Sequence, residues 1–137
     1  MIQLPHSWKL GTNLRPHVHW TNRDRGPNEN GSVVAWQVDY SVAPIWGQFH
    51  AMTTVVCDGS ANSATNHTHF MTPATGGEPD INMANITSVS AMILGRIARS
   101  STNDTWVGTA SGQLPLLLEV DFHFQMDTMG SRTVGVK

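Results

Sequence analysis

The stretch from residue 116 to residue 126, LLLEVDFHFQM, alternates apolar and polar side chains and decides the fold class. The large apolar side chains that would share one face of a strand are Leu116, Leu118, Val120, Phe122, Phe124 and Met126. Its polar side chains are Glu119, Asp121, His123 and Gln125. Residues two apart share one face of a β-strand. A shift by one residue would turn six large apolar groups to water, so the stretch predicts a strand with one strongly specified buried face.

The same alternation predicts four more strands, at residues 14–20, 32–42, 52–57 and 91–99. Two further short strands are expected at residues 67–71 and 106–109. The side chains expected to form the core are Trp20, Trp36, Val38, Leu118, Val120, Phe122 and Phe124. Cys57, the single cysteine, is expected to be a buried, inert thiol, and one cysteine excludes an internal disulfide.

The amino-acid composition also favours an all-β fold. Ser, Thr and Asn total 34 of 137 residues, whereas Lys occurs only twice. Such a chain is rich in turn formers and poor in the residues that cover helix surfaces. We therefore expect an all-β protein with one domain at residues 1–126, a jelly-roll-like antiparallel β-sandwich with long loops. Residues 127–137 are expected to form an extended C-terminal tail.

Charge and hydropathy exclude several classes of function. A net charge of −2, with aromatic residues not interleaved with basic ones, argues against a nucleic-acid partner. No apolar run approaches the roughly 18 residues of a membrane span, so no membrane partner is expected. The N-terminal ten residues lack a signal-peptide pattern, so we expect synthesis in a cytoplasm without export by the general pathway.

Two His-x-His pairs, His17/His19 and His67/His69, are the main candidates for chemistry. Residues i and i+2 of a strand share a face, so both imidazoles of a pair could reach one metal ion. With Gly11 before it, the first pair resembles the opening of the cupin metal motif, but the sequence after His19 lacks the expected Glu. His17, His19 and His123 are therefore minor metal candidates. The favoured prediction is a polar interface cluster without a cofactor, formed by His17, His19, Glu119, Asp121 and His123.

Three segments carry a resemblance to one family. Residues 4–20, LPHSWKLGTNLRPHVHW, are similar to the pattern LPHxWKxGTxLxPHxHW of a group of tailed-bacteriophage proteins. Residues 33–49, VVAWQVDYSVAPIWGQF, and residues 116–132, LLLEVDFHFQMDTMGSR, are similar to later segments of that group. The group consists of virion-associated structural proteins without a settled enzymatic role. Its members carry a further segment before the first motif, so the resemblance leaves the mode of attachment open.

The resemblance implies a non-enzymatic virion structural protein, made in the cytoplasm of a host bacterium. We expect a capsid decoration, or cement, protein that bridges coat subunits, with itself (as a homotrimer) and the major capsid protein as partners. A tail or head-fibre component is an alternative. Two other classes stay open, a cupin-like metal-dependent enzyme and a carbohydrate-binding module. No Gly-x-Ser-x-Gly or phosphate-binding glycine motif points to a catalytic residue.

Overall fold

A computed structural model of the chain describes residues 1–23, 31–61, 65–73, 80–107 and 114–127. These residues form seven strands and no helix, and therefore no helix that could cross a membrane. The strands are β1 (Ile2–Gln3), β2 (Arg15–Asn22), β3 (Val33–Ala43), β4 (Thr53–Ser60), β5 (His69–Pro73), β6 (Met92–Arg99) and β7 (Pro115–His123).

The strands form two antiparallel sheets. One sheet has four strands in the order β1-β6-β3-β4, and the other has three in the order β5-β2-β7. The predicted all-β class is confirmed, and the two sheets agree with a β-sandwich. The jelly-roll connectivity stays a prediction. The predicted tail begins at Asp127, and residues 128–137 lie outside the described part of the chain.

The buried faces follow the period-two patterns of β2 and β3. Along β2, Pro16, Val18, Trp20 and Asn22 are buried and alternate with more exposed residues. Trp20 is fully buried; it stacks on Phe70 at 4.4 Å between ring centroids and meets the edge of Trp106 at 5.9 Å. Offset and edge-to-face aromatic pairs add to the free energy gained from burial, so this group anchors the three-stranded sheet.

The two sheets face one another across an apolar interior. Val120 and Phe122 of β7 line a cavity of about 120 Å³ together with Val38 and Tyr40 of β3. At the neighbouring edges, β4 approaches β5 so closely that a Cβ on Gly59 would lie 2.9 Å from Thr72 Cγ2. A larger residue at this position would therefore force Thr72 or the two strands to shift.

All five principal predicted strands are present, with shifted ends, as β2, β3, β4, β6 and β7. The strand expected at residues 67–71 is β5, which begins two residues later. Trp106 and Val107 are not in a strand, and residues 108–109 lie outside the described residues. The sequence pattern did not predict β1, which is only two residues long.

Two predicted core residues are corrected. Leu118 is 56% exposed and Phe124 is 36% exposed. Leu116 and Met126, which were also predicted to lie on the buried face of this stretch, are exposed as well. The pairing of β2 with β7 shifts between His19 and Trp20, so that Glu119 lies opposite His19 but Leu117 lies opposite Trp20. Leu118 is thus the extra residue of a β-bulge, which interrupts the alternation. Phe124 lies beyond the last residue of β7.

The other predicted core residues lie inside the core or at its margin. Trp20, Trp36 and Val38 are buried, and Val120 and Phe122 are partly buried and pack against the core.

Candidate functional site

The outer face of the three-stranded sheet carries a group of imidazoles around one carboxylate. In the antiparallel pairing of β2 with β7, His17 lies opposite Asp121 and Arg15 lies opposite His123. Residues directly opposite one another point to the same face of a sheet. Because Val18 and Trp20 point inward, His17 and His19 point outward together with Asp121 and His123. We call these last four residues the histidine cluster.

Asp121 lies at the centre of the histidine cluster. Its Oδ1 is 3.6 Å from His17 Nδ1, and its Oδ2 is 3.5 Å from His19 Nε2. The ring of His123 meets the ring of His17 edge to face, with 4.2 Å between centroids. One potential ligand atom each from His17, Asp121 and His123 lies within 4.8 Å of the other two. These three residues could therefore share a single ion.

Two atoms of the cluster are buried without a hydrogen bond in the described part of the chain. They are His17 Nδ1 and Asp121 Oδ1, the two atoms that face one another at 3.6 Å. This distance is too long for a normal hydrogen bond between nitrogen and oxygen. Most buried polar atoms in folded proteins have a partner, so this pair needs an explanation.

His69 extends the cluster onto β5. Its Nε2 is 2.8 Å from His19 Nδ1, within hydrogen-bonding distance, and the two ring centroids are 5.0 Å apart. The second His-x-His pair was a sequence signal for His69, but nothing in the sequence indicated that β5 pairs with β2. Of the predicted cluster residues, Glu119 is exposed although it lies opposite His19.

The surroundings of His17 favour its neutral form. Burial lowers the pKa of its imidazole, the nearby His123 and His19 and the Arg15 guanidinium lower it further, and only Asp121 acts in the opposite direction. The Arg15 guanidinium lies 3.5 Å from the Asp80 carboxylate. Beside the cluster, a polar groove of about 500 Å³ runs from His123 along Arg15, Asp80 and Asn13. A solute could therefore approach the cluster from this side.

A second imidazole contact lies elsewhere in the fold. Ser90 Oγ and His6 Nε2 are in hydrogen-bonding contact, and Ser90 has a left-handed backbone conformation with φ of 64°. Sequence reasoning did not single out this pair. Neither residue lines the interior cavity or the polar groove described above, so the pair is interpreted as a tether of the N-terminal segment.

Exposed apolar side chains form a different kind of surface on β7. Four leucines near its start are exposed: Leu114, Leu116, Leu117 and Leu118. β7 is an edge strand, and the described residues provide no strand on its other side.

Elsewhere, Trp46 is fully exposed on a tight turn closed by a hydrogen bond from Gly47 N–H to Pro44 O.

No protein-family model matches the chain, and no curated protein or solved structure is significantly similar to it.

Proposed function

We propose that this chain is a non-enzymatic virion structural protein that assembles through the exposed leucines of β7. A capsid decoration protein that bridges coat subunits is the specific role we favour, with the chain itself as a homotrimer and the major capsid protein as partners. The observation that carries the proposal is an apolar edge strand that the described part of the fold leaves uncovered.

An exposed apolar edge is unusual for a protein that acts alone. Unpaired backbone N–H and C=O groups on an edge strand can pair with another chain, and natural monomers protect them with charges, prolines or bulges. β7 begins at Pro115 and has a bulge at Leu118, but these features leave its leucines exposed, and the exposed leucines are the argument for a partner. Exposed leucines lie on both faces of β7. Leu116 lies opposite Thr21 and Leu117 opposite Trp20, and neighbouring residues of a strand point to opposite faces. A neighbouring subunit could add a strand here and bury the leucines at the same time.

The resemblance at both ends and in the middle of the chain supports the virion assignment. The segment with the exposed edge strand is one of the three that resemble tailed-bacteriophage structural proteins. A role in assembly needs complementary surfaces rather than catalytic groups.

The Trp46 turn offers a second contact surface. Trp46 adopts a left-handed conformation with φ of 65°, which is strained for a large side chain, and holds the whole indole in solvent. Exposed tryptophans are frequent anchors of protein interfaces. The same side chain could instead stack on a sugar ring, which keeps a carbohydrate-binding module as the second candidate function.

The test combines assembly in solution with location in the particle. Light scattering of the purified chain over a range of concentrations should show a concentration-dependent oligomer. The double variant Leu116→Glu/Leu118→Glu should remain monomeric, because a charge on each exposed position opposes strand addition. Val107→Glu is the matched control: it changes a residue that is also exposed, and it should still assemble.

Location is tested by mass spectrometry and electron microscopy of phage particles whose genome encodes the chain. Stoichiometric copies on the capsid would support decoration, and copies on the tail or fibres would replace that role with the alternative one. A chain that stays monomeric and is absent from particles contradicts the proposal. Glycan binding lost in Trp46→Ala would then favour the carbohydrate-binding function.

A further inference from the structure

We propose that His17, Asp121 and His123 bind one divalent transition-metal ion of the zinc type. Two imidazoles and one carboxylate are a ligand set that zinc and neighbouring first-row metals accept in proteins. The inference is independent of the proposed assembly function, because it concerns the outer face of the sheet rather than the edge of β7.

The distances around Asp121 match those between ligands of one ion. Zinc binds imidazole nitrogen and carboxylate oxygen at about 2.0–2.2 Å, so two ligands at a tetrahedral angle lie about 3.4 Å apart. The 3.6 Å between His17 Nδ1 and Asp121 Oδ1 is close to that value and is longer than a normal hydrogen bond. One potential ligand atom of His123 lies within 4.8 Å of a ligand atom of each of these two residues.

The unpaired atoms point to a cation between them. A carboxylate offers only acceptors, and a neutral imidazole nitrogen without its hydrogen is also an acceptor. His17 Nδ1 and Asp121 Oδ1 are both buried without a hydrogen bond and face one another. Leaving such groups without a partner costs free energy. An ion bound between the two atoms satisfies both.

The position of His17 suits a ligand, because its side chain is only 12% exposed. Metal binding requires the neutral imidazole, and burial disfavours the protonated form. The Arg15 guanidinium, the permanent positive charge nearest on β2, lies beside the Asp80 carboxylate.

His19 and His69 lie around the proposed ligands rather than among them. Outer groups of this kind commonly fix the orientation of a metal ligand. His19 Nε2 lies 3.5 Å from Asp121 Oδ2, and His19 Nδ1 lies 2.8 Å from His69 Nε2, within hydrogen-bonding distance. When His69 Nε2 donates to His19 Nδ1, the hydrogen of His19 is on Nε2 and points toward the Asp121 carboxylate. Three strands thus contribute to one site: β2 and β7 supply ligands, and β5 supports His19 beside the carboxylate.

The experiment measures Zn²⁺ binding to the full untagged chain. After treatment with a chelator, the protein is titrated with Zn²⁺ by calorimetry, and bound metal is counted after equilibrium dialysis. We expect one Zn²⁺ per chain and a higher Tm with the ion than without it. Co²⁺, which absorbs visible light strongly at a tetrahedral site, gives an independent spectroscopic readout.

Variants identify the ligands. Asp121→Asn keeps the shape of the side chain and should lose most of the affinity, as should His17→Ala and His123→Ala. His19→Ala should weaken binding by about tenfold, the effect of removing an outer-shell partner of the Asp121 carboxylate. His50→Ala is the matched control, because it removes an exposed imidazole outside the cluster and should bind Zn²⁺ like the wild type.

Circular dichroism and Tm in chelator show whether each variant folds. Loss of binding in a folded Asp121→Asn or His123→Ala variant supports the site. If the wild-type chain binds no Zn²⁺, or if these variants bind it as tightly as the wild type, the cluster is a purely polar one and the proposal is overturned.

Discussion

Each sheet carries a carboxylate on its outer face, and the two have opposite surroundings. On the four-stranded sheet, Asp39 accepts hydrogen bonds from Thr54 Oγ1 at 2.6 Å, from Gln37 Nε2 at 2.7 Å and from two nitrogens of Arg96. On the three-stranded sheet, Asp121 has imidazoles at 3.5 and 3.6 Å and a buried oxygen without a hydrogen bond.

The difference indicates two uses of the same side chain. The Asp39 carboxylate already has its donors, so it contributes to folding and leaves no room for a ligand. The Asp121 carboxylate has only long contacts with two imidazole nitrogens, so it is available for the proposed ion. Satisfied polar networks stabilise a fold, whereas unsatisfied ones mark candidate binding sites.

The largest expected effect is on stability and comes from Asp39→Ala. The variant leaves the Thr54, Gln37 and Arg96 donors without their acceptor, and we expect a loss of about 2–3 kcal/mol of unfolding free energy. Urea unfolding measures it. Arg96→Ala is the companion variant and should cost less, because the Arg96 side chain is largely exposed and the other two donors remain. Unchanged stability of Asp39→Ala would remove the contrast between the two carboxylates.

Acid should destabilise the protein through the same residue. Hydrogen bonds from Thr54, Gln37 and Arg96 lower the pKa of Asp39 from 3.8 to about 2. A depressed folded-state pKa gives stability that is complete above the unfolded-state value and is lost as the pH falls through the folded one. We expect a loss of up to about 2 kcal/mol as the pH falls from about 4 to below 2.

Urea unfolding at several pH values tests this dependence. Asp39→Asn, which cannot titrate, should flatten the curve in that range. If the variant keeps the full acid dependence of the wild type, another group causes it.

The Gly59→Ala variant tests the packing of β4 against β5, which keeps the outer faces of the two sheets on opposite sides of the molecule. The added Cβ would lie 2.9 Å from Thr72 Cγ2, so β4 and β5 must shift, at a cost of about 1–2 kcal/mol. Thr72→Ser removes the clashing methyl group and should restore most of the stability in the double variant.

Gly95→Ala is the matched control for Gly59→Ala. Its Cβ would lie 3.5 Å from the Asp39 carbonyl oxygen, an ordinary contact, so little change is expected. Equal Tm losses in the two alanine variants would show that the close approach of β4 to β5 is not the cause.

The smallest expected effect is Asp121→Asn in the presence of chelator. Without an ion, its long contacts with imidazoles should contribute as little as an exposed ion pair, so stability should change by less than about 0.5 kcal/mol. Thermal unfolding with and without Zn²⁺ completes the comparison. A loss as large as that of Asp39→Ala in chelator would mean that both carboxylates are structural.

Much of the fold was predictable because each main strand carries its own alternating pattern of apolar and polar residues. The alternation at β2, β3 and β7 follows from the geometry of extended backbone, in which neighbouring side chains point to opposite faces. It correctly placed Trp20, Trp36 and Val38 inside. It failed at Leu118, where a bulge inserts a residue, because a bulge is a property of two paired strands and not of one sequence segment.

The sequence by itself determined the all-β class, the positions of the main strands and the fact that His17 and His19 share a face. These depend on period-two patterns that a single strand carries. Only the tertiary structure decided that Asp121 lies against His17, that His69 reaches His19 and that the leucines of β7 are exposed. The physical reason is that the pairing of β2 with β5 and with β7 joins residues about 50 and about 100 positions apart, and its register depends on packing summed over the whole core.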